Sequence, residues 1–149
     1  MIARLACLED LNRLLPVVRE FYGHFGFDWD EEHKRRLLAS FLSRPDLGRL
    51  WVATLEEQIA GYALSPFYFS LEFGGLVALI DEFFLLPGCR AQGTGGKLLS
   101  TALADLTAEG IRAVRLEVDR RHPAATTLYS RLGFTHDGRE AWTKRLDPA

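Results

Sequence analysis

The apolar residues of this chain change their spacing along its length, and the change separates predicted helices from predicted strands. Residues 2–6 are apolar enough for a short first strand, and residues 31–42 return to helical spacing before Pro45. Between them, an amphipathic helix ending near Tyr22 is indicated by an apolar set at helical spacing: Leu8, Leu11, Leu15, Val18 and Tyr22. Pro16 lies inside this pattern and is expected to bend or interrupt the helix.

The middle of the chain has the shorter period of β-strands. Residues 50–55 and 58–64 are predicted to be two strands joined by the polar pair Glu56 and Glu57. Residues 76–86 form a long and mostly apolar run, which is typical of a strand buried on both faces. Pro87 and the glycine that follows it are expected to end this strand.

The last third alternates between helix and strand. A helix is predicted after the glycines at 93–96, and residues 112–118 alternate in polarity like a strand. Pro123 is favourable in the first turn of a helix that ends at Gly133, and a final strand is predicted around residues 142–146. The order of elements predicts a mixed α/β fold in a single domain covering residues 1–149.

Composition and charge narrow the function. The 149 residues are 48% hydrophobic and 26% charged, with a formal net charge of −2, which argues against general binding to nucleic acid. The two cysteines and four histidines are scattered, so no metal site is predicted. The sequence has neither a secretory signal pattern nor the roughly 18 apolar residues that a membrane helix needs, so the cytoplasm is the expected location.

A glycine-rich segment follows the apolar run and carries the strongest chemical signal. It opens a helix with residues of little bulk, and such a loop presents backbone N–H groups where a diphosphate can bind. The ATP-type loop is excluded because Leu98 follows Lys97, and the dinucleotide fingerprint is excluded because it needs glycine in place of Leu98. The pattern RxxGxG fits residues 90–95. The alternative interpretation is that the glycines only form a tight strand-to-helix turn.

A second motif stands about thirty residues downstream. Five of its positions match a spaced pattern of a known family: Ala125, Leu128, Tyr129, Gly133 and Phe134. With the RxxGxG loop, this pattern resembles the GCN5-related N-acetyltransferases, although His122 replaces the asparagine usual in that family. Residues 80–85 are similar to the corresponding strand of members that acetylate small, polyamine-like amines.

The resemblance implies a fold and a reaction. The fold would be a mixed, mostly antiparallel sheet, splayed at its middle strands and flanked by helices. The protein would transfer an acetyl group from acetyl-CoA to a primary amine by direct attack on the thioester, without a metal. The residues implied to contact the cofactor are Phe83, Phe84, Leu85, Arg90, Ala91, Gln92, Gly93, Thr94, Gly95, Gly96 and His122.

Three residues are candidates for acid–base chemistry under this resemblance. A phenol is protonated when a thiolate leaves, so Tyr129 is the candidate general acid. The resemblance places the base at Asp81, with Glu82 as the reserve. Neighbouring strand residues point to opposite faces, so the two carboxylates cannot share one role. The alternatives are that Tyr129 is an ordinary packing residue and that the amine loses its proton along a water path.

The acceptor side is less well defined by sequence. Aromatic and acidic residues that could attract a cationic amine are Phe27, Asp28, Trp29 and Tyr68. The same residues could simply cap and pack the second helix. A small-molecule amine is the expected partner, and many family members form homodimers. Two other functions stay open: a non-catalytic module that binds coenzyme A, and an acetyltransferase that modifies proteins or peptides.

Overall fold

A computed structural model of the chain describes residues 1–147, so the last two residues of the predicted 1–149 domain lie outside the description. The described part contains four α-helices and six strands. In chain order they are β1 (Ile2–Leu5), α1 (Leu11–Phe25), α2 (Glu31–Ser43), β2 (Gly48–Leu55), β3 (Gln58–Ser70), β4 (Gly75–Ile80), β5 (Glu82–Leu85), α3 (Thr94–Ala108), β6 (Ala113–Leu116) and α4 (Ala124–Arg131).

The strands form one mixed sheet, which confirms the predicted α/β class. Its order is β1-β2-β3-β4-β6, and β5 pairs with β3 beside that path. All pairings are antiparallel except that of β4 with β6, which is parallel. Because β3 is 13 residues long, it pairs with β5 along its first half and with β4 along its second half.

The predicted single strand at 76–86 is divided in the structure. Asp81 separates β4 from β5, and its backbone N–H donates to the Leu64 oxygen at 2.9 Å. The parallel pairing of β4 with β6 ends at Ile80 and Leu116, and within residues 1–147 β5 has β3 as its only sheet partner. The sheet therefore opens beside β5, as the predicted splay requires.

Helices cover the two faces of the sheet. Phe21 of α1 packs against the rings of Tyr62 and Phe84, with centroid distances of 6.1 and 5.8 Å. Neighbouring strand residues point to opposite faces, and on the other face the indole of the fully buried Trp51 donates to Asp105 of α3 at 2.8 Å. The core therefore lies in two layers, one beneath α1 and one beneath α3.

Pro16 lies inside α1 without interrupting it, so the predicted interruption is wrong. The helix continues from Leu11 to Phe25 and ends at Gly26, whose φ of 71° is left-handed. Pro16 itself is exposed, whereas its neighbours Leu15 and Val17 are buried. Burial of the adjoining apolar face offsets the one hydrogen bond that proline cannot donate.

The final strand predicted around residues 142–146 is also wrong, because the described residues there have no regular structure. Trp142 and Leu146 are 89% and 88% exposed, so the apolar side chains of this segment are not packed. Contacts divide the chain into two compact units, Met1–Leu116 and a second unit that begins at Glu117 and contains α4. Each is described by itself.

Candidate active site

The glycine loop of the first unit forms the N-terminus of α3. Gly93 is the N-cap residue with φ 79°, and Ala91 is also left-handed with φ 62°. Alternation between left- and right-handed residues turns successive N–H groups toward one side, which makes an anion-binding concavity. The first N–H groups of α3 have no acceptor within the helix. The predicted loop therefore places two left-handed residues directly before the N–H groups that begin α3.

Side chains of the loop fasten it to its surroundings. Arg90 donates through Nε to the Leu85 oxygen at 3.0 Å, and its guanidinium lies 5.2 Å from the Phe84 ring centroid. Gln92 donates to the Gly88 oxygen at 3.3 Å. These contacts tie the loop to the end of β5, so the predicted diphosphate-binding residues 90–96 and the predicted strand 83–85 come together in one region.

β5 offers an edge for an extended ligand. Alternate residues of a strand direct their N–H and C=O groups to opposite edges, and β3 occupies one edge. Phe84 is 5% exposed and belongs to the core, so its side chain is buried away from that edge. Gly61 permits the close approach of β5 to β3, because a Cβ there would lie 2.5 Å from the Phe84 carbonyl oxygen.

Glu82 is held by two tyrosines on the α1 face of the sheet. The hydroxyl groups of Tyr22 and Tyr62 each donate to its carboxylate at 2.7 Å. Burial raises the pKa of Glu82, and the two hydrogen bonds oppose that rise. Burial and the neighbouring carboxylate raise the pKa of both phenols well above their usual range, so they stay protonated donors. The carboxylate is thus oriented and its proton affinity is increased.

Asp81 and Glu82 differ in their surroundings. Asp81 is an exposed residue at the break between β4 and β5, and partial desolvation raises the pKa of its carboxyl group. Glu82 lines a cavity and accepts hydrogen bonds from Tyr22 and Tyr62. The structure therefore supplies Glu82, the reserve base, with two hydrogen-bond donors and an adjacent cavity, whereas Asp81 is exposed.

A cavity of about 310 Å³ lies beside Glu82, beneath α2. Its apolar lining comes from Val18, Leu37, Leu38, Phe41, Leu47 and Leu64. Its polar lining comes from Tyr22, Lys34, Ser40 and Glu82. This volume is near the lower end of the roughly 300–1,000 Å³ typical of ligand pockets, which favours a small guest.

The residues predicted to bind the acceptor do not line this cavity. Phe27 and Trp29 instead pack around Tyr22, with ring centroids 5.7 and 5.6 Å away. Asp28 is exposed, and the Tyr68 hydroxyl accepts from Arg115 at 3.3 Å. Phe27 and Trp29 therefore pack against the ring of Tyr22, whose hydroxyl donates to Glu82.

The two remaining predicted residues lie in the second unit. Tyr129 is half-buried on α4, with its ring 5.9 Å from that of Phe134, and burial raises the pKa of its hydroxyl. His122 is exposed just before α4, and its backbone N–H donates to the Asp119 oxygen at 2.9 Å. Tyr129 therefore stays protonated at neutral pH, as a general acid must.

Sequence reasoning missed Tyr22, Lys34 and Tyr62. Tyr22 appeared only as an apolar member of a helix face, and Tyr62 only as a strand residue. The signal that could have found them is Glu82 itself, since a carboxylate inside an apolar strand requires hydrogen-bond donors. The position of Tyr62 beside Glu82 depends on the register of β3 with β5, in which Tyr62 pairs with Phe84 and Leu64 with Glu82.

Two further findings concern metal ions and membranes. Within residues 1–147, no group of three or more His, Cys, Asp or Glu side chains is arranged to hold a metal ion. No helix in the same range has the length and apolar character needed to cross a membrane.

Two curated acetyltransferases are similar to this chain in sequence. A mycothiol acetyltransferase of Streptomyces avermitilis is 30% identical over 115 residues, which cover 66% of this chain and 37% of the relative. A mycothiol acetyltransferase of Streptomyces scabiei is 29% identical over 145 residues, covering 85% of this chain and 47% of the relative. The chain thus spans less than half the length of these curated relatives.

Solved structures share the fold. An integron cassette protein, HFX_CASS3, from the mobile metagenome of Cole Harbour Salt Marsh has a TM-score of 0.88 and 32% identity, covering 99% of this chain and 91% of its own. The aminoglycoside acetyltransferase meta-AAC0020 from an uncultured soil metagenomic sample has a TM-score of 0.82 and 20% identity, covering 98% and 96%, and shows likeness of fold alone. A family model described as the acetyltransferase (GNAT) family matches residues 12–134. The chain therefore belongs to the GNAT family of acetyltransferases.

Proposed function

We propose that this protein transfers the acetyl group of acetyl-CoA to the primary amine of a small molecule. The observation that carries the proposal is the continuity of one region: β5, which pairs only with β3 among residues 1–147, leads into the glycine loop at the N-terminus of α3. An extended arm ending in a diphosphate matches that combination, because the strand edge offers backbone pairing and the loop offers N–H groups.

In the proposed reaction the amine nitrogen forms a bond to the acetyl carbon while the carbon–sulfur bond breaks. Glu82 takes the proton that the amine must lose, and its raised pKa brings its basicity closer to neutral pH. Tyr129 gives a proton to the departing sulfur. One backbone N–H group among residues 83–85 polarises the thioester oxygen. Asp81 is the alternative base, and His122 a further contact for the cofactor.

Relatives support a small-molecule acceptor. The curated relatives are named mycothiol acetyltransferases, and a protein of similar fold is named an aminoglycoside acetyltransferase. The cavity beside Glu82 is also small, at about 310 Å³. A diamine or polyamine acceptor, a cytoplasmic location and a homodimer remain predictions from the sequence.

A paired-variant experiment tests cofactor binding. Gly93 and Gly138 have φ of 79° and 78°, and an added Cβ would meet nothing within 4 Å at either position. Alanine therefore imposes the same backbone strain at both, while only Gly93 belongs to the proposed diphosphate loop. We expect Gly93→Ala to weaken binding of acetyl-CoA in calorimetry by about tenfold and Gly138→Ala to leave it at the wild-type value.

Turnover is measured by release of free thiol over a panel of amines, with mass spectrometry to identify the acetylated product. The proposed function fails if the folded protein binds neither coenzyme A nor acetyl-CoA. It also fails if the cofactor binds but no amine is acetylated, since that result identifies a non-catalytic module.

A further inference from the structure

The cavity beside Glu82 has one anionic group, one cationic group and apolar walls. Lys34 and Glu82 are the charged residues among its described lining residues. The wall opposite the sheet comes from one face of α2, where Lys34, Leu38 and Phe41 recur at helical spacing. Of these, Leu38 is 6% exposed and belongs to the core, whereas the neighbouring lining residue Leu37 is 49% exposed.

The two charges are close to each other. The Lys34 ammonium lies 4.6 Å from the centroid of the Tyr22 ring, and the hydroxyl of that ring donates to Glu82 at 2.7 Å. The positive charge of Lys34 also lowers the pKa of Glu82, against the larger effect of burial. Tyr22 therefore separates an ammonium from a carboxylate within a single small cavity.

This arrangement disfavours the polyamine acceptor that the sequence suggested. A second ammonium on the substrate would meet Lys34, and like charges at short range repel. A polyhydroxylated amine would place most of its hydroxyl groups against leucine, valine and phenylalanine side chains, which provide no hydrogen-bond partners, since only four of the ten described lining residues are polar. An acceptor that suits the cavity carries one amine, one anionic group and an apolar body.

We infer that the acceptor is an apolar α-amino acid, with its amine at Glu82, its carboxylate at Lys34 and its side chain against the apolar wall of α2. This inference rests on the proposed function and names the substrate class of the same site. Glu82 receives the proton of the amine, the nitrogen bonds to the acetyl carbon, and coenzyme A leaves as the thiol. Lys34 is a specificity-determining residue and takes no part in the proton transfer.

The test compares each amino acid with the amine that lacks only its carboxylate. Thiol release from acetyl-CoA is measured with phenylalanine against 2-phenylethylamine and with leucine against 3-methylbutylamine, and spermidine and an aminoglycoside complete the panel. We expect kcat/KM for phenylalanine to exceed that for 2-phenylethylamine by about tenfold or more, the effect of one charge-assisted hydrogen bond. Mass spectrometry should identify the N-acetyl amino acid.

Variants on one helix provide the control. Lys34→Met is expected to bring the ratio of the two kcat/KM values close to one. Arg36→Met changes a cation on the same helix that pairs with Glu32 at 3.1 Å and does not line the cavity, so it should keep the wild-type ratio. Thermal unfolding of each variant shows whether it is folded.

The outcomes separate this inference from the proposed function. Acetylation of spermidine or the aminoglycoside without preference for amino acids overturns the inference and upholds acetyl transfer to an amine. An equal fall of the ratio in Lys34→Met and Arg36→Met also overturns it, because the preference would then come from the general charge of α2. Failure to bind coenzyme A or to acetylate any amine overturns both.

Discussion

Replacement of Glu82 by glutamine gives the sharpest test of the proposed mechanism. The side chain keeps its shape, and its amide can still accept from one tyrosine and donate to the hydroxyl oxygen of the other. Both phenols therefore keep a partner, and the variant is expected to fold. What the substitution removes is the ability to take a proton from the amine.

The expected loss of activity follows from that role. Removal of a positioned general base costs about 10²–10⁴-fold in rate, which is about 3–5 kcal/mol of activation free energy. We expect kcat of Glu82→Gln to fall within this range while the dissociation constant of acetyl-CoA stays close to the wild-type value. Release of thiol measures the first quantity and calorimetry the second.

The same variant also carries a prediction about pH and stability. Because burial raises the pKa of Glu82, the folded protein binds this proton more readily than the unfolded chain does. The group therefore favours folding at a pH below the ordinary glutamate pKa, and this contribution is lost as the pH rises through the raised value. Urea unfolding at about pH 4 and about pH 8 should show Glu82→Gln improving relative to wild type at the higher pH.

Asp81→Asn is the companion variant that identifies the base. If Asp81→Asn loses activity by the predicted factor and Glu82→Gln keeps more than about a tenth of it, the base is Asp81 and the reasoning from the two tyrosines is refuted. If both variants keep most of their activity, the amine loses its proton through water rather than to either carboxylate.

Three other perturbations have defined outcomes. Tyr129→Phe should lower kcat by about 10²-fold or more with little change in acetyl-CoA affinity; an equal change in both, by kinetics and calorimetry, would reduce Tyr129 to a packing residue. Gly61→Ala should destabilise the fold by about 1–3 kcal/mol in urea unfolding, because its Cβ would lie 2.5 Å from a carbonyl oxygen of β5. Gly23→Ala should instead be stabilising, because Gly23 lies within α1 and its added Cβ would have open space. Asp10→Asn should cost about 1.5–3 kcal/mol in the same assay, because the buried carboxylate accepts from Arg4 and Arg13 at 2.8 Å; a loss below about 1 kcal/mol would contradict that role.

The sequence by itself determined those parts of the protein whose information is local. The RxxGxG pattern at residues 90–95 specifies the loop before α3, since left-handed backbone at Gly93 and a helix start depend on adjacent residues. Strand and helix periods gave the α/β class for the same reason. The failed strand at residues 142–146 shows the limit, because a weakly patterned segment forms a strand only where a partner buries its side chains.

Tertiary structure alone decided how the chemical groups meet. Tyr22, Tyr62 and Glu82 are separated by 20 to 60 positions, and no local pattern connects them. Their meeting depends on the register of β3 with β5 and on the packing of α1 over it. The division of one apolar run at Asp81 likewise depends on where β6 stops pairing with β4. Long-range contacts of this kind are fixed by burial and hydrogen bonding between distant segments, which a single sequence does not display.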